Sequence, residues 1–479
     1  PSNEEIIKII EFITLDFNTY NDYDYIDYSI DRLMKEKERL NLSPLIRMKN
    51  HKYLFGHQSL FVSTKAWYYP LKAGDIPFSI NENSLVKEEL KKISGKYNQE
   101  KLTALKNSFQ QKAFSEKKQS LIIAKQRGWK TKFTTSDGRL LELQRVVNGK
   151  PIYYTTFNVD AATSTRTDHL NAGGSLGLNL MGQNMTAHVW DGGLARSSHQ
   201  EYDGAGGNNR FSIGDGTTTM HYHAAHVAGT IISSGVQASA KGMAPYANAV
   251  GYDWNSDKAE ATAAAANGML VSNHSYGYPL NNVQNGAGIY GYDAKEFDAI
   301  MYNAPYYLQV VSAGNDGNNN SANTDPLEGN SLFDKLTGMT TAKNNLTVAN
   351  GQDAQIDDDG NLISMIRNSG SSEGPTDDLR VKPDITGNGS GLISPVGDSN
   401  GYGNYSGTSM SGPNVMGSLL LVQQHYNNVN GSFMLGATLK GLALHTADDI
   451  TPDNSSTNSQ TLIGPDATTG WGLLNAKFA

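Results

Sequence analysis

The stretch Gly407-Thr408-Ser409-Met410-Ser411-Gly412-Pro413-Asn414-Val415-Met416-Gly417 sets a serine where a loop becomes a helical run that continues to Asn427. A hydroxyl oxygen is a weak nucleophile near neutral pH and needs a positioned base, so the chain upstream is read for partners. Ser312-Ala313-Gly314-Asn315-Asp316-Gly317 follows the apolar run Tyr307 to Val311. Earlier, His223-Ala224-Ala225-His226-Val227-Ala228-Gly229-Thr230 opens a run of small residues that lets a helix lie close on a sheet. Earlier still, Ala187-His188-Val189-Trp190-Asp191-Gly192-Gly193 is a β-rich run ending in an acid and two glycines. Each piece by itself reads as a turn. Together and in this order they read as one constellation.

The punctuation between these pieces sets the fold class. Short β-rich runs (Met185 to Trp190, Ala247 to Tyr252, Leu270 to Asn273, Tyr307 to Val311, Leu346 to Val348) alternate with helical ones (Ala224 to Ser233, Ala259 to Asn267, Asp293 to Asn303, Pro413 to Asn427). Strands spaced by helices make βαβ units and a mostly parallel sheet covered on both faces, an α/β/α architecture. Sites in such sheets form at the carboxyl ends of the strands.

Composition narrows the function classes. The 479 residues are 38% hydrophobic and 18% charged, the balance of a globular protein, and no apolar run approaches the roughly 18 residues of a membrane span. The net charge of -8 hides a break. Residues 1–150 carry 26 Lys+Arg against 18 Asp+Glu and 6 of the 49 glycines, whereas residues 151–479 carry 13 against 29 and the other 43 glycines. An acidic, glycine-rich body lacks the clustered cations that nucleic acid needs, and the charges of the basic front are interleaved with acids as on solvated helix faces. With no cysteine there is no disulfide, thiol nucleophile or thiolate metal site.

The front divides into a Lys-rich region, 1–98, to which no role is assigned, and a helix plus β-meander, 99–157, ahead of a body at 158–479. Helical spacing is found in Glu4 to Phe17, Tyr28 to Leu40, Ser84 to Ile93 and Gln99 to Arg127, with an aromatic-rich stretch from Lys52 to Ile76. Lys130 to Thr135, Leu140 to Val147 and Pro151 to Phe157 read as strands joined at Asp137-Gly138 and Asn148-Gly149, strong hairpin signals. The start, Pro1-Ser2-Asn3-Glu4-Glu5, has no initiator Met and no basic region before an apolar stretch, so no intact signal peptide is expected within this sequence.

The ordered segments, with Ser372-Glu373-Gly374-Pro375-Thr376, Lys382-Pro383-Asp384-Ile385 and the closing Gly470-Trp471-Gly472-Leu473-Leu474-Asn475-Ala476, resemble the subtilisin-like serine peptidases, the subtilases, over roughly residues 165–479. The Asp, His, Ser chain order is that of the family. The resemblance implies an endopeptidase acting through an acyl-enzyme, with Ser409 as nucleophile, His223 as general base, Asp191 supporting the imidazole and Asn315 in the oxyanion hole beside the Ser409 N–H. It further implies that Ser272-Asn273-His274-Ser275-Tyr276-Gly277 pairs with an extended polypeptide substrate, with Ser275, Tyr276, Gly277, Ala313 and Gly314 lining the cleft and Tyr276 as a pocket wall. It implies a secreted enzyme, consistent with a lysine-poor body, and the 99–157 segment stands where many subtilases carry an intramolecular propeptide. No cofactor is required for the chemistry; calcium is common in the family, and Asp357 to Asp359 is a weak candidate for a structural ion, with hairpin-turn solvation the plainer reading. The chain departs from the usual pattern at Gly192, at Ala224-Ala225, and at Ser411-Gly412 and Asn414, and its 94-residue step from Asn315 to Ser409 is long. A catalytically silent subtilase fold used as a binding module is the alternative.

Other constellations fit less well. Ser175 (Gly173 to Gly177) and Ser372 (Gly370 to Gly374) satisfy G-x-S-x-G, but neither lies between an apolar strand and a helix, as an esterase serine must. His221, His223 and His226 would admit zinc by type, yet no glutamate is placed as in H-E-x-x-H to activate water.

Overall fold

Runs that alternate β-branched and aromatic residues with small ones supply the strands of the central sheet. The computed structural model describes residues 82–479 apart from 135–139, 148, 157–161, 204–208, 284–285, 398–399, 453 and 456–461. The readings at Glu4 to Phe17, Tyr28 to Leu40 and Lys52 to Ile76 lie outside the described residues. Those that are described belong to one unit, Asn81–Ala479.

Seven parallel strands form the sheet: β4 (Thr186–Asp191), β5 (Phe211–Ile213), β6 (Asn248–Asp253), β7 (Val271–His274), β9 (Leu308–Ser312), β10 (Leu346–Gly351) and β13 (Ile385–Asn388), in the order β13-β10-β9-β7-β4-β6-β5. The strands after β4 run first to one side and then, from β7, to the other, so β4 sits at the reversal, where such sheets place their sites. Val189, Trp190, Val271, Val310, Val311, Val348 and Ile385 are all buried, as expected of parallel strands covered on both faces. The helices α3 (Tyr222–Ile232) and α6 (Thr408–Asn430) pack on each other and on these strands. With α4 (Asp257–Ala266), α5 (Tyr292–Asn303) and α7 (Gly436–His445), they complete the α/β/α layers.

Helix α6 begins five residues before the run predicted from Pro413, and continues through that proline. Proline has no N–H to give to the carbonyl four residues earlier, and that carbonyl belongs to Ser409. The hydroxyl of Ser275 supplies the missing donor at 2.8 Å. Every residue of α6 from Thr408 to Gln424 is buried, so the helix is core all round.

Ahead of the body, α1 (Glu82–Gly95) and α2 (Gln99–Arg127) precede a meander of β1 (Lys132–Thr134), β2 (Leu140–Val147) and β3 (Lys150–Thr156). Asn98 caps α2 by accepting from the Lys101 N–H, and Gly128, at φ 68°, ends it in the left-handed conformation that favours glycine. The meander joins the body by pairing β3 antiparallel with β8 (Tyr276–Gly277), Thr155 opposite Gly277 and Thr156 opposite Tyr276.

Charged contacts reinforce that junction. Arg145 of β2 grips Asp293 of α5 through both guanidinium nitrogens, and Asp293 also takes Lys258 at 3.0 Å and the Tyr278 hydroxyl at 2.9 Å. Burial alone would raise the Asp293 pKa, but Arg145 and Lys258 outweigh it and hold the group ionised. Glu142 of β2 accepts from the Trp254 indole and the Asn255 amide, both at 3.1 Å. Burial pushes its pKa up, while Lys117 and Lys132 bring it down to about 2.

Two hairpins lie in the second half of the body. β14 (Ser390–Val396) and β15 (Gly401–Ser406) pack against α3, and β11 (Gln355–Ile356) pairs with β12 (Leu362–Ser364). The turn of the second contains Asp357 to Asp359; the Asp357 carboxylate accepts from the Asn361 N–H at 2.8 Å and its side-chain amide at 2.9 Å, so it closes its own turn.

Candidate active site

Asp191 is the last residue of β4 and His223 stands in the first turn of α3, so the reversal in the sheet and the start of a helix bring them together. His223 Nδ1 lies 2.9 and 2.8 Å from the two Asp191 carboxylate oxygens, with the side chains 2% and 1% exposed. The carboxylate also accepts the Gly192 N–H at 2.7 Å. A carboxylate there fixes the proton on Nδ1 and leaves Nε2 as the basic nitrogen. His221 caps α3, its Nδ1 taking the His223 N–H at 3.3 Å, and burial lowers its own pKa to about 4.

Ser409 is the second residue of α6, within the turn whose N–H groups lack intrahelical acceptors. Its hydroxyl donates to the Ser275 carbonyl at 3.0 Å, while Ser275 Oγ donates back to the Ser409 carbonyl. Ser312 Oγ donates to the Thr408 carbonyl at 2.8 Å. Thus Ser275, the residue after β7, and Ser312 of β9 hold the helix start. Gly412 allows this approach: a Cβ there would lie 2.9 Å from Asn273 Oδ1 and 3.0 Å from Ser312 Oγ.

Asn315 follows β9. Its Oδ1 accepts from the Thr408 N–H at 2.9 Å and the Thr408 hydroxyl at 3.0 Å. Both bonds use the carbonyl end of the side chain and fix its orientation. Gly314, at φ 108°, precedes it in a backbone conformation that side chains avoid, and a Cβ there would meet Ser372 Oγ at 2.9 Å. Ser372 accepts the Asp316 N–H at 3.0 Å, so this G-x-S-x-G serine buttresses the Asn315 loop.

Thr408 and Ser312 were not singled out by sequence reasoning. Their signal was the hydroxyl-rich content of the two motifs, whose roles need the two loops to face each other. Ala313 is buried and its N–H bonds the Val348 carbonyl at 2.9 Å, so it is a link within the sheet. Tyr276 corrects the pocket-wall expectation. Its ring packs edge-on to Trp254, its hydroxyl donates to Asp257 at 2.9 Å and lies 2.9 Å from His274 Nδ1, and the side chain is 1% exposed. Only the backbone of Tyr276-Gly277 remains for strand pairing.

The three histidines do not converge. While His223 engages Asp191, His226 Nε2 sits 3.3 Å from the Leu392 carbonyl and 3.1 Å from that of Gly403, and burial lowers its pKa to about 3. Asn414 donates to Thr165 Oγ1 at 3.0 Å and is likewise structural in its contacts.

The model of the subtilase family matches residues 184–472. The chain belongs to the subtilase family. Over 118 residues this subtilase is 36% identical to a PII-type proteinase of Lactococcus lactis subsp. cremoris, and over 118 residues 38% identical to a PII-type proteinase of Lacticaseibacillus paracasei. Each match takes in 22% of this chain and 6% of the relative, so the subtilase spans a small part of the curated relatives' length. Among solved structures it is similar to a prenylagaramide maturation protease (19% identity, TM-score 0.45, 61% of this chain and 91% of that one). It is also similar to a cold-adapted subtilisin-like serine proteinase (22% identity, TM-score 0.39, 62% and 89%).

Proposed function

We propose that this subtilase is a serine endopeptidase that cleaves polypeptides through an acyl-enzyme on Ser409. The observation that carries the reading is the Asp191–His223 pair at the sheet reversal, with Ser409 at a helix N-terminus and Asn315 locked beside it by Thr408. His223 takes the Ser409 proton as the hydroxyl attacks the scissile carbonyl and returns it to the leaving amine. Asp191 stabilises the imidazolium formed between those steps. The Asn315 amide and the Ser409 N–H receive the developing oxyanion. The substrate lies extended along Tyr276-Gly277, held by backbone bonds.

The segment 99–157 is read as an intramolecular propeptide. Support comes from β3 pairing antiparallel on the strand assigned to substrate. The enzyme is read as secreted from its subtilase kinship and its lysine-poor body; no helix among the described residues is long and apolar enough to cross a membrane.

The test is labelling with a serine-directed fluorophosphonate together with hydrolysis of unfolded casein, before and after removal of residues 1–157. Labelling at Ser409 and casein cleavage that appear on removal are expected, with Ser409→Ala abolishing both. A folded, cleaved protein that takes no label overturns the catalytic reading in favour of a silent binding fold.

A further inference from the structure

The long step between Asn315 and Ser409 returns twice to the loop that carries Asn315, once with backbone and once with a buried cation. Ser372 takes the Asp316 N–H on its hydroxyl, and its own N–H donates to the Gly314 carbonyl at 2.9 Å. The Gly317 N–H donates to the Gly370 carbonyl at 3.0 Å. A Cβ on Gly317 would lie 2.4 Å from the carbonyl oxygens of both Ser369 and Ser371. The two segments therefore meet backbone to backbone, and no side chain at 317 can anchor the loop.

Lys335 supplies that anchor. Its side chain is 1% exposed, and its three ammonium protons have three acceptors: the Gly317 carbonyl, Asn320 Oδ1 at 2.8 Å and Glu373 Oε2 at 3.1 Å. Glu373, equally buried, turns its other oxygen to Arg367 at 2.8 Å. The Lys335 N–H also donates to the Glu373 carbonyl at 2.7 Å, so main chain as well as charge holds the pair together. One ammonium thus ties the far end of the Asn315 loop to the same segment, 367–373, that holds its near end.

Such a pair is a poor way to gain stability. Taking both charges out of water costs much of what their attraction returns, and apolar side chains of the same volume often do as well. What it does supply is geometry. Charge-assisted hydrogen bonds are short and strong, and a donor aimed at developing charge works only when placed within about 0.5 Å of its productive position. We propose that Lys335, backed by Glu373, is a positioning residue for the oxyanion hole, seating Asn315 by pinning the Gly317 carbonyl two residues beyond it. This role rests on the reading of Asn315 as an oxyanion donor, and its effect falls on the transition state and not on substrate binding.

Steady-state hydrolysis of a peptide amide by the full chain, under the conditions in which the parent is active, tests the role in a double-mutant cycle. Lys335→Met is expected to lower kcat by roughly 10-fold or more with KM within about twofold, as a displaced donor does. In an Asn315→Ala background the same substitution is expected to cost less than about twofold, because no amide is left to seat; a lysine that only stabilised the fold would cost the same factor in both. Glu373→Gln keeps an acceptor for Lys335 and Arg367 and removes only the charge. It is expected to lower kcat by about threefold, again only while Asn315 is present, and it decides the matter if Lys335→Met does not fold. The proposal is overturned if the variants keep the parental kcat, if their losses persist unchanged in the Asn315→Ala background, or if the losses fall on KM alone. A parent that takes no fluorophosphonate label and cleaves nothing overturns the enzymatic reading itself, and this role with it.

Discussion

Thr408 orients Asn315 by presenting both its N–H and its hydroxyl to the same carbonyl oxygen. Asn315→Ala is expected to lower kcat by roughly 10²–10³, about 3–4 kcal/mol in the transition state, a magnitude taken from subtilisin, with KM little changed in steady-state assays on a peptide amide. Thr408→Val, which keeps the N–H and loses the hydroxyl, is expected to fall between Asn315→Ala and the parent. Ser275 illustrates a different residue-level constraint. Its hydroxyl serves the carbonyl that Pro413 deprives of a helical donor, so Ser275→Ala leaves a buried acceptor empty. A loss of about 1–3 kcal/mol in denaturant unfolding is expected. The need for a hydroxyl at 275 could be read from Pro413 only once β7 was known to lie under α6.

At the scale of elements, the contact between the meander and the body rests on a few buried charges. Arg145→Met would leave Asp293 with Lys258 and the Tyr278 hydroxyl but without its bidentate partner. Breaking one side of such a pair costs roughly 3–5 kcal/mol, and Lys258 will soften that. The expected outcome is a looser 99–156 segment, cut faster in limited proteolysis and releasing activity sooner than in the parent. The hairpin signals and helical periodicity of this segment were legible in the sequence because they are local. Its docking on β8 was not, because Thr155 and Gly277 are 122 residues apart and pair only through backbone groups that carry no sequence signature. The same reason explains why β5, β13 and the β14–β15 hairpin escaped periodicity, being short or made of glycine, serine and asparagine.

Across the whole molecule, buried carboxyls pull stability in opposite directions with pH. Glu260, which accepts from the Trp190 indole at 3.0 Å, is raised to about 8 chiefly by burial, and Glu296, paired with Lys112 at 3.2 Å, to about 7 by burial. A raised folded-state pKa means that the folded chain holds more protons than the unfolded one between the two values. Stability from these groups is fully present below the unfolded value of about 4.5 and is lost as pH rises through 7 to 8. Glu142, whose folded value is about 2, acts the other way and loses its contribution only as pH falls toward that value. Glu260→Gln keeps an acceptor for Trp190 and removes the charge. In urea titrations on the Ser409→Ala background it is expected to be more stable than the parent at pH 9 by on the order of 1–3 kcal/mol, with the difference shrinking toward pH 5; an unchanged difference across that range would falsify the assignment.

The sequence by itself determined the alternation of strands and helices, the ordered Asp, His, Asn and Ser motifs, and the charge break near residue 150, since periodicity, glycine placement and composition are local properties of the chain. Only the tertiary structure decided that Asp191 meets His223, that Thr408 turns Asn315, that Tyr276 faces inward, and that Lys335 joins Glu373 to the Gly317 carbonyl. Those relations join residues tens to hundreds of positions apart, and their energies depend on distances of a few ångströms and on burial, which the packed sheet and its helices alone create.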